Sequence, residues 1–282
     1  MGALREQFRQ HMRLQGLAER TQESYEHAVV DLTRACRISP DKLTNEQIQG
    51  HLDYLLRTRH ISWNTVNVYF SAFRCFYGGM LKRRATEFSL PPRGRSHRRP
   101  VVLSRDTVRR ILGACENLKH RALLTTVYGS GLRVSEVCRL KPHHVESAPD
   151  RMMLRVDLGK GGKDRYTLLS RHGLELLREY WRKYRPGEWL FFGFDRSRPM
   201  ANGTAQAIYY QACKAAGVQN ARGIHSLRHA FATHLLEQGT DLLVIKSCLG
   251  HSSLSTTAQY CHLTADRLRQ VKSPADTLAE DQ

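Results

Sequence analysis

Residues 83–100, RRATEFSLPPRGRSHRRP, constrain the fold more than any other stretch of the chain. They hold Pro91, Pro92 and Pro100 together with Arg93, Arg95, Arg98 and Arg99, and almost no apolar content. Proline fixes φ and removes a backbone donor, and a segment without apolar side chains cannot offset an ordering entropy of about 1–2 kcal/mol per residue. Such a stretch cannot pack a core and reads as a linker, so the 282-residue chain must build one core on each side of it. The expected organisation is a helical domain over 1–85, a basic linker over 86–100 and a second domain over 101–282. A linker of this kind is either a solvated hinge or a strap that also touches phosphates, and the charge of the whole chain favours the second reading.

That charge is large: Lys+Arg 44 against Asp+Glu 26, a formal net charge of +18. A surplus of this size repels itself unless it meets a polyanion, and nucleic acid is the commonest one. The apolar runs fall short of the roughly 18 residues a membrane helix needs, and MGALREQFRQHMRLQG holds no secretory-type apolar core. The chain is therefore expected in the cytoplasm, with no membrane partner. Its cysteines, Cys36, Cys75, Cys115, Cys138, Cys213, Cys248 and Cys261, are odd in number and form no CxxC pair. They read as reduced, largely core residues.

Before the linker every periodicity is helical. Phe8 and Met12 follow Leu4 at one-turn spacing until Gly16; a second helix begins at Thr21 with Tyr25, Ala28, Val29 and Leu32 on one face. Thr44 and Gln47 have capping-box spacing ahead of Ile48, Leu52, Leu55 and Leu56. Ser62 can cap a fourth helix whose aromatic stripe, Tyr69, Phe70, Phe73 and Tyr77, reads as core, ending near Gly78 and Gly79.

After the linker the pattern becomes mixed. Ser104 can cap a helix carrying Val108, Ile111, Leu112 and Cys115, and a second helix over about 119–128 leads to GSGLRVSEVCRL. There Gly129 and Gly131 are expected to break the chain, Arg133 to open the next helical turn, and Glu136, three residues on, to orient it. Two short strand-like runs, 152–158 and 165–169, flank the turn GKGGK, which puts Lys160 at a hairpin tip. That turn lacks the pattern of a nucleotide-binding P-loop. Helices over about 173–184 and 203–216 complete the scaffold.

The chemistry gathers in residues 225–262. With Leu227, Ala230, Phe231 and Leu235 as the buried stripe, His225 and Arg228 are expected to project from the other side of the helix. Asp241 can cap a helix stopped by Gly250, which leaves His251 in a loop, and Ser255 can cap a short helix carrying Tyr260. A phenol with a reference pKa of about 10 becomes a nucleophile only where cations stabilise the phenolate and the charge growing on its target. A phenol among arginines and imidazoles suits attack on a phosphodiester. His225 and His229 at i, i+4 have half the spacing of a zinc site, but no HExxH carboxylate or cysteine accompanies them. His229, His234 and His262 read as structural or surface residues.

Taken together, GSGLRVSEVCRL, LGKGGKDR, HSLRH and LGHSSLSTTAQYCH, with their spacing, resemble the tyrosine recombinases, the phage-integrase family of site-specific recombinases, in a Xer-like or transposon-associated form. The resemblance implies a mainly α fold with a small β-hairpin or sheet: a helical, SAM-like core-binding domain followed by a mixed α/β catalytic domain. It further implies that Tyr260 is the nucleophile, that Arg133 and Arg228 clamp the phosphate, that Lys160 is the hairpin lysine, and that His225 and His251 are the family's two histidines, with Glu136 in support. Lys163 rivals Lys160, because RYTLL lacks the proline common after that hairpin. Strand cleavage and rejoining would run through a 3′-phosphotyrosyl link without metal, ATP or other cofactor. Double-stranded DNA is the implied partner, bound by a monomer or dimer that assembles as a homotetramer at synapsis, in a bacterial cytoplasm at the nucleoid. A type IB topoisomerase and a catalytically silent DNA-binding accessory protein are the alternatives.

Overall fold

The computed structural model describes residues 2–83, 87–92, 102–157, 164–219, 222–251, 253 and 256–257. The chain divides into two units, Met1–Arg98 and Arg99–Gln282.

The first unit is all helical. Helices α1 (Gly2–Leu14), α2 (Glu19–Cys36), α3 (Asn45–Arg57) and α4 (Trp63–Phe73) lead into a π-helical turn, Arg74–Met80. The expected stripes are the core: Phe8, Met12, Leu32, Ile48, Leu52, Leu55, Val66, Phe73, Phe76 and Tyr77 are all buried. The expected capping box also forms, with the Thr44 hydroxyl accepting from the Gln47 N–H and the Gln47 side chain accepting from the Thr44 N–H. A cap of this kind is worth about 1 kcal/mol, so it marks where α3 starts more than it holds the bundle. Each fully buried aromatic contributes on the order of 2–3 kcal/mol, and those dominate. α2 starts two residues earlier than the sequence suggests, at Glu19 rather than Thr21. The helix expected to run through Tyr77 changes to wider i→i+5 turns at Arg74. At Gly79 a Cβ would lie 2.7 Å from His11 Nε2, so a larger residue here would have to displace the His11 ring of α1.

One expectation about the linker fails. Residues 87–92 are not bare of core contacts: Phe88 is 4% exposed and meets Phe70 and Tyr77 edge-on, with ring centroids 5.8 and 6.3 Å apart. The Trp63 indole N–H donates to the Pro91 carbonyl at 2.9 Å, and the Ser89 N–H donates to Gln49 Oε1 at 2.8 Å. Just before it, the Arg83 guanidinium stacks on the Tyr77 ring and donates to the Leu43 and Asp41 carbonyls. One aromatic among polar neighbours is enough to seat the strap, because its burial outweighs the entropy of ordering a few residues. Arg93, Arg95, Arg98 and Arg99 lie outside the described residues.

The second unit is built round α6 (Leu118–Ser130), whose residues Ala122–Val127 are all buried. Around it pack α5 (Arg105–Gly113), α7 (Val134–Cys138), α8 (Arg171–Tyr184), α9 (Asn202–Ala215) and α10 (His225–Glu237), with α11 (Leu242–Leu249) against α10. A three-stranded antiparallel sheet in the order β1 (Val145–Glu146), β2 (Met153–Val156), β3 (Arg165–Leu168) completes it. Two strands were expected; β1 is a third, too short to show a period. It is secured at its base by His144 just before it and Asp157 just after β2, which hydrogen-bond at 2.9 Å. Phe231, Ala232, Leu236, Ile245, Cys248 and Leu249 form a small separate core between α10 and α11. The cysteines among the described residues are free, and Cys115, Cys138, Cys213 and Cys248 are buried.

Candidate active site

Four chain segments converge on one carboxylate. The first is the α6–α7 junction, where Gly131 closes α6 with φ +64° and a Cβ would lie 2.3 Å from the Phe231 ring. Gly129 does not break the chain, as the sequence suggested; it lies inside α6. Gly131 turns the backbone so that Arg133 is the N-cap residue of α7, with Leu132 and Val137 buried on either side as anchors. The other segments are the first residue of β3, the start of α10 and the end of α11.

Glu136 is that carboxylate. Its Oε1 accepts from Arg133 Nη1 at 2.7 Å and its Oε2 from the Arg133 backbone N–H at 2.7 Å. A second arginine, Arg165, grips the same two oxygens with both fork nitrogens, at 2.9 and 2.7 Å. Arg228 Nη1 lies 3.9 Å from Oε2. Burial pushes the Glu136 carboxyl upward, but the Arg165 hydrogen bonds and charge, with those of Arg133, outweigh it and hold the group down at about 2. Glu136 is therefore ionised at any physiological pH.

The last carbonyls of α11 complete the frame. An α-helix ends with carbonyls that have no helical partner and sit at the negative end of its dipole. Here three in a row accept from three different arginines. Cys248 O accepts from Arg165 Nε at 3.0 Å, Leu249 O from Arg228 Nη2 at 2.7 Å and Gly250 O from Arg133 Nη2 at 3.2 Å. Gly250, with φ +62°, turns the chain out of the helix, and Arg165 lies against it, so that a Cβ would come within 2.8 Å of Arg165 Cδ.

Arg228 is not where the helical stripe put it. The sequence places it on the side opposite the buried face; in the structure its side chain is 1% exposed, donating to Gly131 O at 2.6 Å as well as to Leu249 O. α10 has structure on both sides, because the α6–α7 junction and the end of α11 close over the second face. Burying a guanidinium costs several kcal/mol unless its donors are met, and these carbonyls meet them. Arg133 is more open, at 25%.

The two imidazoles differ in partners. His251 Nε2 accepts from Arg228 Nη2 at 3.1 Å, since a guanidinium can only donate, so the ring proton sits on Nδ1 and goes to the Thr257 hydroxyl at 2.9 Å. Burial, then the charges of Arg228, Arg133 and Arg165, drive its pKa down to about 4. His225 opens α10 and keeps part of its surface in solvent, yet protein mass packs round its ring and His229 stands edge-on at 4.7 Å. Burial first, then His229, Arg228 and Arg133, lower it to about 4 as well. Both rings are neutral at pH 7. His234 is buried and bonds the Tyr128 hydroxyl at 3.0 Å, which accords with a structural role.

Of the residues singled out from sequence, Arg133, Glu136, His225, Arg228 and His251 come together; Lys160, its rival Lys163, and Tyr260 lie outside the described residues. Arg165 was not singled out. Its signal was available: a lone arginine enters a strand two residues after the GKGGK run. Among the described residues, the cluster with metal-ligand spacing is His143, His144 and Asp157. It suits a metal poorly, because His144 Nδ1 accepts from the Lys141 N–H at 3.1 Å and Nε2 therefore carries the proton shared with Asp157.

Comparison with known proteins follows the same division of the chain. The model of the phage integrase family matches residues 101–267, and that of the phage integrase N-terminal SAM-like domain matches residues 4–87. A protein named as an integrase/recombinase in Sinorhizobium fredii is 38% identical over 279 residues, covering 99% of this chain and 90% of its own. The tyrosine recombinase XerC of Halalkalibacterium halodurans is 34% identical, with 78% of each chain covered. Among solved structures, XerH site-specific recombinase bound to a palindromic difH substrate superposes with a TM-score of 0.73 at 20% identity, covering 88% of this chain and 78% of that one. The Tn1549 transposon integrase in complex with transposon right-end DNA gives a TM-score of 0.73 at 17% identity, covering 98% and 99%. Both structures share the fold.

Proposed function

This chain belongs to the phage integrase family, and on that premise we propose that it is a site-specific DNA recombinase that cuts and rejoins strands through a tyrosyl–phosphate link. The observation that carries the reading is the arginine frame: Arg133 and Arg228 fixed to adjacent carbonyls at the end of α11, round a carboxylate that stays ionised. Rigidly held guanidinium groups are what a pentavalent phosphorus needs, and they supply charge that a metal ion supplies in other phosphoryl-transfer enzymes.

In the proposed reaction the Tyr260 oxygen attacks phosphorus and the bond from phosphorus to the 5′ oxygen breaks. A 3′-phosphotyrosyl ester and a 5′-hydroxyl result. The phenol proton passes to His225, whose low pKa leaves it an acceptor at pH 7. Lys160 on the 158–163 connection donates to the leaving oxygen, with Lys163 as the other candidate. A phosphate oxygen replaces His251 Nε2 as acceptor of the Arg228 donor, and His251 changes tautomer, the Thr257 hydroxyl now donating to Nδ1, so that Nε2–H donates to the phosphate. Attack by a 5′-hydroxyl on the ester reverses the steps, and since the ester keeps the energy of the cut bond, no ATP is required. Arg93, Arg95, Arg98 and Arg99 contact backbone phosphates, and two duplexes are held by a homotetramer built from free monomers or dimers.

The test is adduct trapping. The full chain is incubated in EDTA with nicked duplexes tiling the DNA that flanks its coding sequence. A denaturation-resistant protein–DNA adduct is expected in the wild type and none with Tyr260→Phe, while both bind the duplex. An adduct that survives Tyr260→Phe overturns the assignment. Steady relaxation of generic supercoiled plasmid without strand exchange would place the chain with the topoisomerases instead.

A further inference from the structure

Arg165 does chemical work that no part of the mechanism above assigns. It holds both oxygens of Glu136 in a two-pronged fork and donates its third direction, Nε, to Cys248 O. Arg165 and Glu136 are each only 10% exposed, so the pair is strongly felt. All three faces of this guanidinium are met by the protein, which leaves it poorly placed to bind phosphate itself. Its neighbour Gly250 is a residue a side chain could not replace without displacing that guanidinium.

Charge accounting gives the reason for a third arginine. Glu136 orients Arg133, but a bare carboxylate beside Arg133 and 3.9 Å from Arg228 also cancels charge the phosphate requires. A second, bidentate partner on the same carboxylate removes that conflict. We propose that Arg165 is a positioning residue: it takes up the charge of Glu136, so that Arg133 and Arg228 keep theirs for the phosphodiester, and it ties the first residue of β3 to the chain leading into His251. The low carboxyl pKa of Glu136, set chiefly against burial by Arg165, supports this. The inference rests on the recombinase reading.

The test compares the full chain with Arg165→Met, Arg165→Lys, Glu136→Gln and the double variant Arg165→Met/Glu136→Gln. Two quantities are read: the Glu136 carboxyl titration by carbon-13 NMR, and single-turnover adduct formation on the nicked duplexes against the dissociation constant for the same duplexes. In the wild type Glu136 should stay ionised down to about pH 4; in Arg165→Met it should take up its proton above that. Adduct formation should slow on the order of tenfold in Arg165→Met, with affinity changed less than about twofold. The double variant should regain most of the rate, because no carboxylate remains to compete for Arg133. Arg165→Lys, which keeps charge but loses the fork, should fall between, and it carries the titration if Arg165→Met does not fold. An unchanged Glu136 titration overturns the proposal, as does a double variant as slow as Arg165→Met or slower, since lost packing is not repaired by a second loss. If the wild type forms no adduct on any duplex, the recombinase reading falls, and the titration still decides whether Arg165 takes up the charge.

Discussion

Arg133 and Arg228 carry the same charge under different constraints. Arg228 is buried and joins Gly131 O, Leu249 O and His251; Arg133 is partly open and leans on Glu136 and Gly250 O. Truncating Arg228 strands buried carbonyls, so Arg228→Ala should cost on the order of 3–5 kcal/mol of stability, whereas Arg133→Ala should cost about 1 kcal/mol and act mainly on cleavage. Denaturant midpoints decide it, and equal losses would contradict the distinction. The imidazoles add a pH dependence. His225 and His251 sit at about 4 when folded, against a usual 6.5, so the unfolded chain binds more protons between those values. Their contribution is complete above about pH 6.5 and drains away as pH falls toward 4; that of Glu136, held at about 2 against 4.5, is lost only below about 4.5. Melting temperature should therefore decline in two stages on acidification, with His225→Gln and His251→Gln flattening the first. A profile unchanged by these substitutions would refute the assignment.

At the scale of elements, two left-handed glycines close helices that border the site, and they should respond differently to substitution. At Gly131 an added Cβ meets the buried Phe231 ring at 2.3 Å, between cores that cannot give. Gly131→Ala should cost about 3 kcal/mol or more, combining φ strain with overpacking. At Gly250 the added Cβ meets Arg165 Cδ at 2.8 Å, and the guanidinium can move only by leaving Glu136 and Cys248 O. Gly250→Ala should therefore add to a φ strain of about 1–2 kcal/mol the loss of part of the Arg165–Glu136 pair, and disturb Glu136 as Arg165 substitution does. A Glu136 titration left unchanged by Gly250→Ala, or disturbed by Gly131→Ala instead, would contradict this distinction. The carbonyls at the end of α11 explain why a helix terminus frames the site: its acceptors fix guanidinium groups without adding another full negative charge to offset them.

At the scale of the molecule, the surplus of +18 is spread over both units, and the strap at residues 87–92 belongs to the first. Phe88→Ala should destabilise that unit by about 3–4 kcal/mol and leave the second untouched. Hydrogen exchange should then rise in α2–α4 but not in α6; a rise in both would mean that the units unfold together. Among the described residues no helix is long and apolar enough to cross a membrane. If the arginines at 93–99 and the site arginines meet phosphates as proposed, duplex affinity should fall on the order of 10³-fold between about 50 and 200 mM salt. A flat response would remove the phosphate contacts from the account.

What the sequence determined by itself was local and periodic. Core stripes such as Phe8, Met12, Ile48 and Leu52, the Thr44–Gln47 box, the Asp241 cap and the stop at Gly250 follow from spacing within one or two turns, where the physics is short-ranged. The pairing of Arg133 with Glu136 was legible for the same reason, since i and i+3 share a helical turn. Phe88 escaped because one aromatic in a polar stretch has no period, and its pocket is made by residues far along the chain. Tertiary structure alone decided that Arg228 is buried and that Arg165 faces Glu136. Both contacts join segments from 21 to 97 residues apart in sequence, namely Arg228 with Leu249 and with Gly131, and Arg165 with Glu136 between those limits. Nothing local sets which carbonyl or carboxylate such a guanidinium reaches; the packing of α6, α10 and α11 brings the acceptors to it.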